Sequence, residues 1–392
     1  MKNGNRWVKI LCKLLSYILV AALASCITMF AVTKDDAGSL KLKQLQALIE
    51  EKFIGETDAQ TLLDYAAAGM VSGTGDRWSY YVSADDYQSF QEGKDNAYVG
   101  VGITVTARED EQGFDIVQVE PGGSAQEMGI LPGDILIAGG GESFIGMSID
   151  HVGTVIKGKE GSTVSVTVRR EGEELTFELT RRTIAVQVAK GQLLGNNIGY
   201  IRITNFNSKC ASETIAQIES LQEQGATRLI FDVRYNPGGY KDELVELLDY
   251  LLPEGPLFRS LDYTGREEVD SSDEKCLEMP MAVLFNSESY SAAEFFAAAL
   301  EEYDWAITVG EPTTGKGYFQ NTYRLLDGSA VSLSVGKYFT PNGVSLAEVG
   351  GLVPNITVEV DEETASLIYS ELLDPAEDPQ VQAAVKALLE ER

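Results

Sequence analysis

The sequence predicts an α/β protein whose largely parallel sheet is preceded by a small β-rich domain. Apolar runs at 199–203, 229–233, 281–285 and 306–309 alternate with helical periodicity at 210–224, 241–252 and 291–303. Such alternation packs helices onto a mostly parallel sheet. Residues 98–182 read instead as short strands with glycine-containing turns. The 392 residues are 44% apolar and 23% charged, which suits two or three globular domains with a buried core and excludes a disordered chain or a rod.

Segment by segment, the chain opens with Lys2, Arg6, Lys9 and Lys13 before an uncharged run at 14–32, just long enough to cross a hydrocarbon core as a helix. Acidic residues follow from Asp35, so the positive-inside rule puts the body outside the cytoplasm. Segment 1–33 is therefore expected to be an uncleaved transmembrane anchor. A cleaved signal peptide, or a lipoprotein signal at Cys26, are the alternatives. Segment 34–97 carries helical spacing at Leu40, Leu42, Leu45, Leu48 and Ile49, and again at Leu62, Leu63, Ala66 and Met70. In 98–182, strands are expected at 101–105, 114–119 and 134–138, with a helix at 148–156. A hairpin of 163–169 and 173–179 turns at Glu171-Gly172. Segment 183–365 holds the α/β alternation, and 366–392 is helical, amphipathic over 378–389.

Net charge is −29, and the first 33 residues hold four basic and no acidic residues, so the body is strongly acidic. Such a surface repels phosphate backbones, which excludes nucleic acid as a partner. Four cysteines and one histidine make no zinc site, and no cofactor motif is present, so neither metal nor cofactor is expected. Outside the N-terminal segment only Cys210 and Cys276 could pair.

A Ser-His-Asp triad has only His151 to draw on, in the β-rich segment and far from any nucleophile, where an ordinary histidine is expected. There is no G-x-S-x-G elbow and no P-loop. Serine–lysine chemistry remains. Two S-x-x-K matches are set aside: Ser272 to Lys275 lies in an acidic turn, and Ser334 and Lys337 face opposite sides of a strand. Ser291 falls where a loop becomes a helix, so free N–H groups and the helix dipole favour developing negative charge. Lys316 stands between Gly315 and Gly317, which lets its amine approach other chain closely. Taken alone, Ser291 reads as an N-cap and Lys316 as a loop lysine.

The stretches Ser289 to Glu294, then Gly310 to Gly317 with Gln320, resemble the carboxyl-terminal processing peptidases, or tail-specific proteases. Asp232-Val233-Arg234-Tyr235-Asn236-Pro237-Gly238-Gly239 resembles that family's D-L-R-x-N-P-G-G loop. Pro121 to Ala125 with Gly129 to Asp134 resembles its PDZ signature. Leu326-Asp327-Gly328, Pro341-Asn342-Gly343 and Gly351-Leu352-Val353-Pro354 resemble its C-terminal strands. The resemblance runs in family order from about Leu40 to Leu389.

It implies a crotonase-like α/β protease core with an inserted PDZ domain at 98–182. It implies a serine endopeptidase working through an acyl-enzyme. Ser291 matches the nucleophile, Lys316 the general base 25 residues later, and Gln320 the residue that orients the lysine amine. Gly238 and Ala292 match the oxyanion-hole donors. Val99, Gly100, Val101 and Gly102 stand where PDZ domains capture a terminal carboxylate, so protein substrates with apolar C-terminal tails are the expected partners. Lys157 occupies the place of an arginine that gates the site in some members, and it lacks the planar fork. Tyr290 and Thr314 also depart from the family pattern without removing a catalytic group. A homodimer through 40–49 and 381–389 is a further expectation. So is a single-pass location with the catalytic body extracytoplasmic. The competing readings are a catalytically inactive PDZ adaptor and an acyl-transfer enzyme on the same fold.

Overall fold

The computed structural model describes residues 37–390 apart from 109 and 111. The 14–32 run expected as an anchor lies outside them. Among the described residues no helix is long and apolar enough to cross a membrane. The chain divides into two units at Tyr81/Val82. The first holds helices Ala37–Lys52 and Ala59–Ser72, the second of these started by Asp58, whose carboxylate accepts the Thr61 N–H at 2.7 Å.

The second unit carries three hydrophobic centres. Its β-rich part is an antiparallel sheet in the order Ile103–Ala107, Phe114–Val119, Ile135–Gly139, Thr163–Arg170, Glu173–Thr180. Alternate residues Val164, Val166 and Val168 point inward onto Phe114, Leu136 and Phe144. Helix Ile149–Ile156, capped by Ser148, covers that core. Strand Ile103–Ala107 is one edge of the sheet. The chain enters and leaves through a two-stranded ribbon, Ala97–Gly100 with Arg182–Ala185.

The larger part is built on a sheet in the order Ala189–Leu194, Ile198–Ile203, Arg228–Asp232, Met281–Phe285, Ala306–Gly310, Ile356–Thr357. All pairs after the first are parallel. Strand Met281–Phe285 is buried at every residue because both its faces are covered. Met281, Val283 and Phe285 meet helices Cys210–Glu223, Lys241–Leu251 and Ala292–Glu302. Ala282 and Leu284 meet Val381, Ala384 and Leu388 of helix Pro379–Glu390. Most of the 381–389 stripe expected to pair two copies is thus spent within the chain. A second antiparallel sheet contains Gly255–Asp262, Glu267–Ser272, Tyr318–Arg324 and Ala330–Phe339. Cys210 and Cys276 are free thiols, and His151 is a surface side chain 3.2 Å from Glu142.

Candidate active site

Two adjacent parallel strands, Arg228–Asp232 and Met281–Phe285, end side by side, and their carboxyl ends launch the loops that build the site. The two loops are stitched together. Ser289 Oγ donates to the Val233 carbonyl at 2.7 Å. The N–H of Tyr235 donates to Asn286 Oδ1 at 3.0 Å, and the N–H of Tyr290 donates to the Asn236 carbonyl at 3.1 Å. Beneath the first loop, Arg234 is buried between Asp232 (Nε–Oδ1 2.9 Å), Asp378 (2.7 Å) and Gln380 (2.8 Å). Burial alone would raise the Asp232 carboxyl, but the adjoining Arg234 guanidinium outweighs it and holds the group down at about 2.

Ser291 closes the second loop as the residue before helix Ala292–Glu302. Its φ of +59° is a left-handed conformation that a side chain rarely adopts. Gly238 explains the crowding opposite. At φ +84°, a Cβ there would fall 2.8 Å from Ser291 Cβ, the Ala292 nitrogen and the Tyr290 carbonyl, so only glycine lets the two loops meet. The Ala292 N–H is the first of its helix and has no intrahelical carbonyl to meet. The Gly238 N–H donates to Asn236 Oδ1 at 2.8 Å.

The residue that joins serine to lysine is Glu294, fully buried at the third helical position. Its Oε2 accepts the N–H of Ser291 at 3.0 Å and of Lys316 at 2.9 Å. Its Oε1 accepts Thr313 Oγ1 at 2.6 Å and the Gly315 N–H at 2.7 Å. All four partners donate, as a carboxylate requires. Lys316 Nζ lies 5.7 Å from the centre of the ring of Tyr290, the residue before Ser291. Gln320, on strand Tyr318–Arg324, directs its amide nitrogen to the Tyr318 carbonyl (3.1 Å) and Ser334 Oγ (3.0 Å), which leaves its oxygen as the end suited to an amine. Neither S-x-x-K alternative forms a serine–lysine pair: Ser272 Oγ bonds the Pro253 carbonyl at 2.5 Å, and Lys337 lies 3.4 Å from Glu348.

In the β-rich part, Val101, Gly102 and strand Ile103–Ala107 face helix Ile149–Ile156 across a cleft of about 590 Å³. Gly102 has φ +83°, and a Cβ there would meet Gly123 Cα at 2.9 Å, so the turn needs glycine. Val101 and Gly102 use their carbonyls on the N–H groups of Ala125 and Glu120. Val99 and Gly100 pair with Thr183 and Arg182 in the ribbon. Lys157 ends the helix, with its amine 5.8 Å from the Tyr98 ring at the cleft wall. The far wall includes Glu92, Val186 and Asn205, which lie outside 98–182 or at the start of the larger part.

Glu294, Thr313 and Asn236 were not among the expected site residues. Ser291 and Glu294 spell S-x-x-E, the capping-box signature, and that spacing is the signal from which the carboxylate could have been found.

The description of Peptidase family S41 matches residues 197–358, and that of a PDZ domain matches 116–170. Carboxy-terminal processing protease CtpA of Bacillus subtilis is 31% identical over 361 residues, which is 88% of this chain and 76% of its own. The chain belongs to peptidase family S41. This S41 chain is accordingly a serine peptidase of the carboxy-terminal processing class, and the adaptor and acyl-transfer readings fall away. A Staphylococcus aureus (strain MSSA476) protein described as a CtpA-like serine protease is 28% identical over 329 residues, covering 83% of this S41 chain and 66% of its own. Among solved structures, a Bacteroides fragilis chain assigned to the S41 proteases aligns with TM-score 0.52 and 16% identity, covering 85% of this chain and 90% of that one. That likeness concerns the fold.

Proposed function

We propose that this S41 peptidase cleaves protein substrates with Ser291 as nucleophile, Lys316 as general base and Gln320 as the residue orienting the lysine amine. The observation that carries the reading is the single carboxylate oxygen of Glu294 that accepts from both the Ser291 and the Lys316 backbone. Two loops 25 residues apart are thereby held to one point. Ser291 Oγ attacks the scissile carbonyl carbon while its proton passes to the neutral Lys316 amine. The oxyanion develops beside the Ala292 N–H at the helix start, with the Gly238 N–H joining when it exchanges its Asn236 contact. The intermediate collapses with the peptide C–N bond broken. Lys316 returns the proton to the leaving amine, and water then hydrolyses the acyl-enzyme.

The substrate's C-terminal tail adds as a strand to the edge Ile103–Ala107, its carboxylate at the Val99–Gly102 turn and its apolar side chains in the cleft against helix Ile149–Ile156. Lys157 at the cleft wall gives a tail carboxylate a cation to meet. The 14–32 run anchors the enzyme in the membrane with its acidic body on the extracytoplasmic side. Exposed Leu40, Leu45 and Leu48 offer an apolar face for a second copy.

The test uses the full chain in detergent beside Ser291→Ala and Lys316→Ala, cleaving an unfolded protein with an apolar C-terminus, with and without free tail peptide. Loss of cleavage in both variants and stimulation or competition by the peptide are expected. Cleavage that survives Ser291→Ala overturns the nucleophile assignment.

A further inference from the structure

Beside the two loops lies a cleft of about 570 Å³ running from Gly239 and Tyr240 to Gln320. Both ends belong to the site described above, since Gly239 follows the glycine packed on Ser291 and Gln320 follows Lys316 by four residues. The floor is aromatic. Phe319 stacks on Tyr338 at 4.9 Å and 19°, and Tyr338 meets Phe295, on the helix that Ser291 opens, at 5.5 Å. Gly336 makes room for this floor, because a Cβ there would lie 2.2 Å from the Phe319 ring.

The rim is acidic. Lys241 lines the cleft but is committed to Asp270 at 3.0 Å, with Glu268 at 3.6 Å. Glu243 is spent on the N–H groups of Lys209 and Ala211, both at 2.9 Å. Lys94 lies behind the wall, its ammonium 5.4 Å from the Tyr240 ring. Asp242 is exposed and lines the cleft with no hydrogen bond or ion pair of this kind among the described residues. Burial, then the charge of Asp242, pushes the Tyr338 phenol well above its ordinary range, so Asp242 bears on the aromatic floor.

We infer that this cleft is a specificity pocket for a lysine or arginine side chain of the substrate, with Asp242 as its charge-selecting residue. The inference rests on the Ser291–Lys316 reading of the site. A long cationic side chain lays its methylene stem along Phe319 and Tyr338 and its charge over the ring faces and against the rim. An acidic side chain meets like charge there and is rejected.

The direct test is binding, which needs no turnover. The full-length Ser291→Ala protein is titrated with two labelled hexapeptides, identical except for Lys or Glu at one central position. Both are amidated at the C-terminus so that neither offers a carboxylate to the β-rich part. In low salt the Lys peptide is expected to bind about tenfold tighter, as attraction of the Lys and repulsion of the Glu by the exposed Asp242 together allow, and added salt should shrink the ratio. Asp242→Asn should erase most of the preference and Asp242→Lys should reverse it. In parallel, cleavage sites made by the unsubstituted enzyme in an unfolded protein are mapped by mass spectrometry and should be enriched in Lys or Arg flanking the cut. Equal affinity for the two peptides, or a preference untouched by Asp242→Lys, overturns the inference. Ser291-dependent cleavage with no charge preference sinks it alone. Cleavage that persists without Ser291 sinks the underlying catalytic reading instead.

Discussion

Replacing Glu294 by glutamine preserves shape and removes the charge at the point where serine and lysine loops meet. One carboxylate oxygen becomes an NH2 group: turned one way it faces the Ser291 and Lys316 N–H donors, and turned the other way it faces the Gly315 N–H, while the Thr313 hydroxyl can rotate to accept from it. Hydrogen bonds to a charged acceptor contribute about 1.5–3 kcal/mol each, so losing one or two costs about 1.5–6 kcal/mol. That is a large share of a native stability of about 5–15 kcal/mol. At about 2–4 °C per kcal/mol for a domain of this class, the melting temperature should fall by on the order of 10 °C. Relaxation of either loop by about 1 Å displaces the proposed nucleophile Ser291 from the proposed base Lys316, and such a shift costs on the order of 100-fold in turnover. Differential scanning calorimetry reads the first quantity and single-turnover cleavage of an unfolded protein reads the second. A Glu294→Gln protein that melts within about 2 °C of the parent and turns over at the parent rate would refute the idea that this carboxylate holds the site together.

Two other perturbations follow from the same geometry. Gly238→Ala should abolish cleavage while leaving tail-peptide binding intact, because the new methyl group lands 2.8 Å from Ser291 Cβ and the Ala292 nitrogen; turnover close to the parent's would contradict that packing. Asp232, held at about 2, stabilises the fold above about pH 4, and this contribution is lost as the pH falls toward 2. The melting temperature should therefore drop more steeply over that window in the parent than in Asp232→Asn, and parallel slopes would count against the Asp232–Arg234 pair as the cause.

The order of strands and helices was legible because the core strands are apolar on both faces and the helices between them carry clear periodicity. Phe285 and Leu284 pack on opposite layers, and that is why 281–285 reads as an unbroken apolar run. Local motifs and a family resemblance singled out Ser291 and Lys316, whose backbones the fold holds to one oxygen of Glu294. Glu294 was visible only as the third helical residue of a capping signature, since its contacts to Thr313, Gly315 and Lys316 join residues 19 to 22 positions away. The Asn236 contact that occupies the Gly238 N–H is local, an Asn side chain meeting the N–H two residues on, so Asn236-Pro237-Gly238 carried a turn signal for it. The aromatic floor of the cleft escaped as the Glu294 contacts did: Phe319 and Tyr338 sit on strands brought side by side by the pairing of Tyr318–Arg324 with Ala330–Phe339.

The shared anchor at Glu294 has a temporal meaning during synthesis. A nascent chain reaches Ser291 before Gly315 and Lys316 exist, and until strand Ala306–Gly310 docks beside Met281–Phe285 nothing brings the lysine's loop to the serine's. The reactive geometry is therefore withheld until most of the larger fold is in place. A ribosome-borne fragment that ends before Gly315 carries Ser291 without the loop of Lys316, so on the proposed mechanism it cannot yet cleave its own unfolded segments.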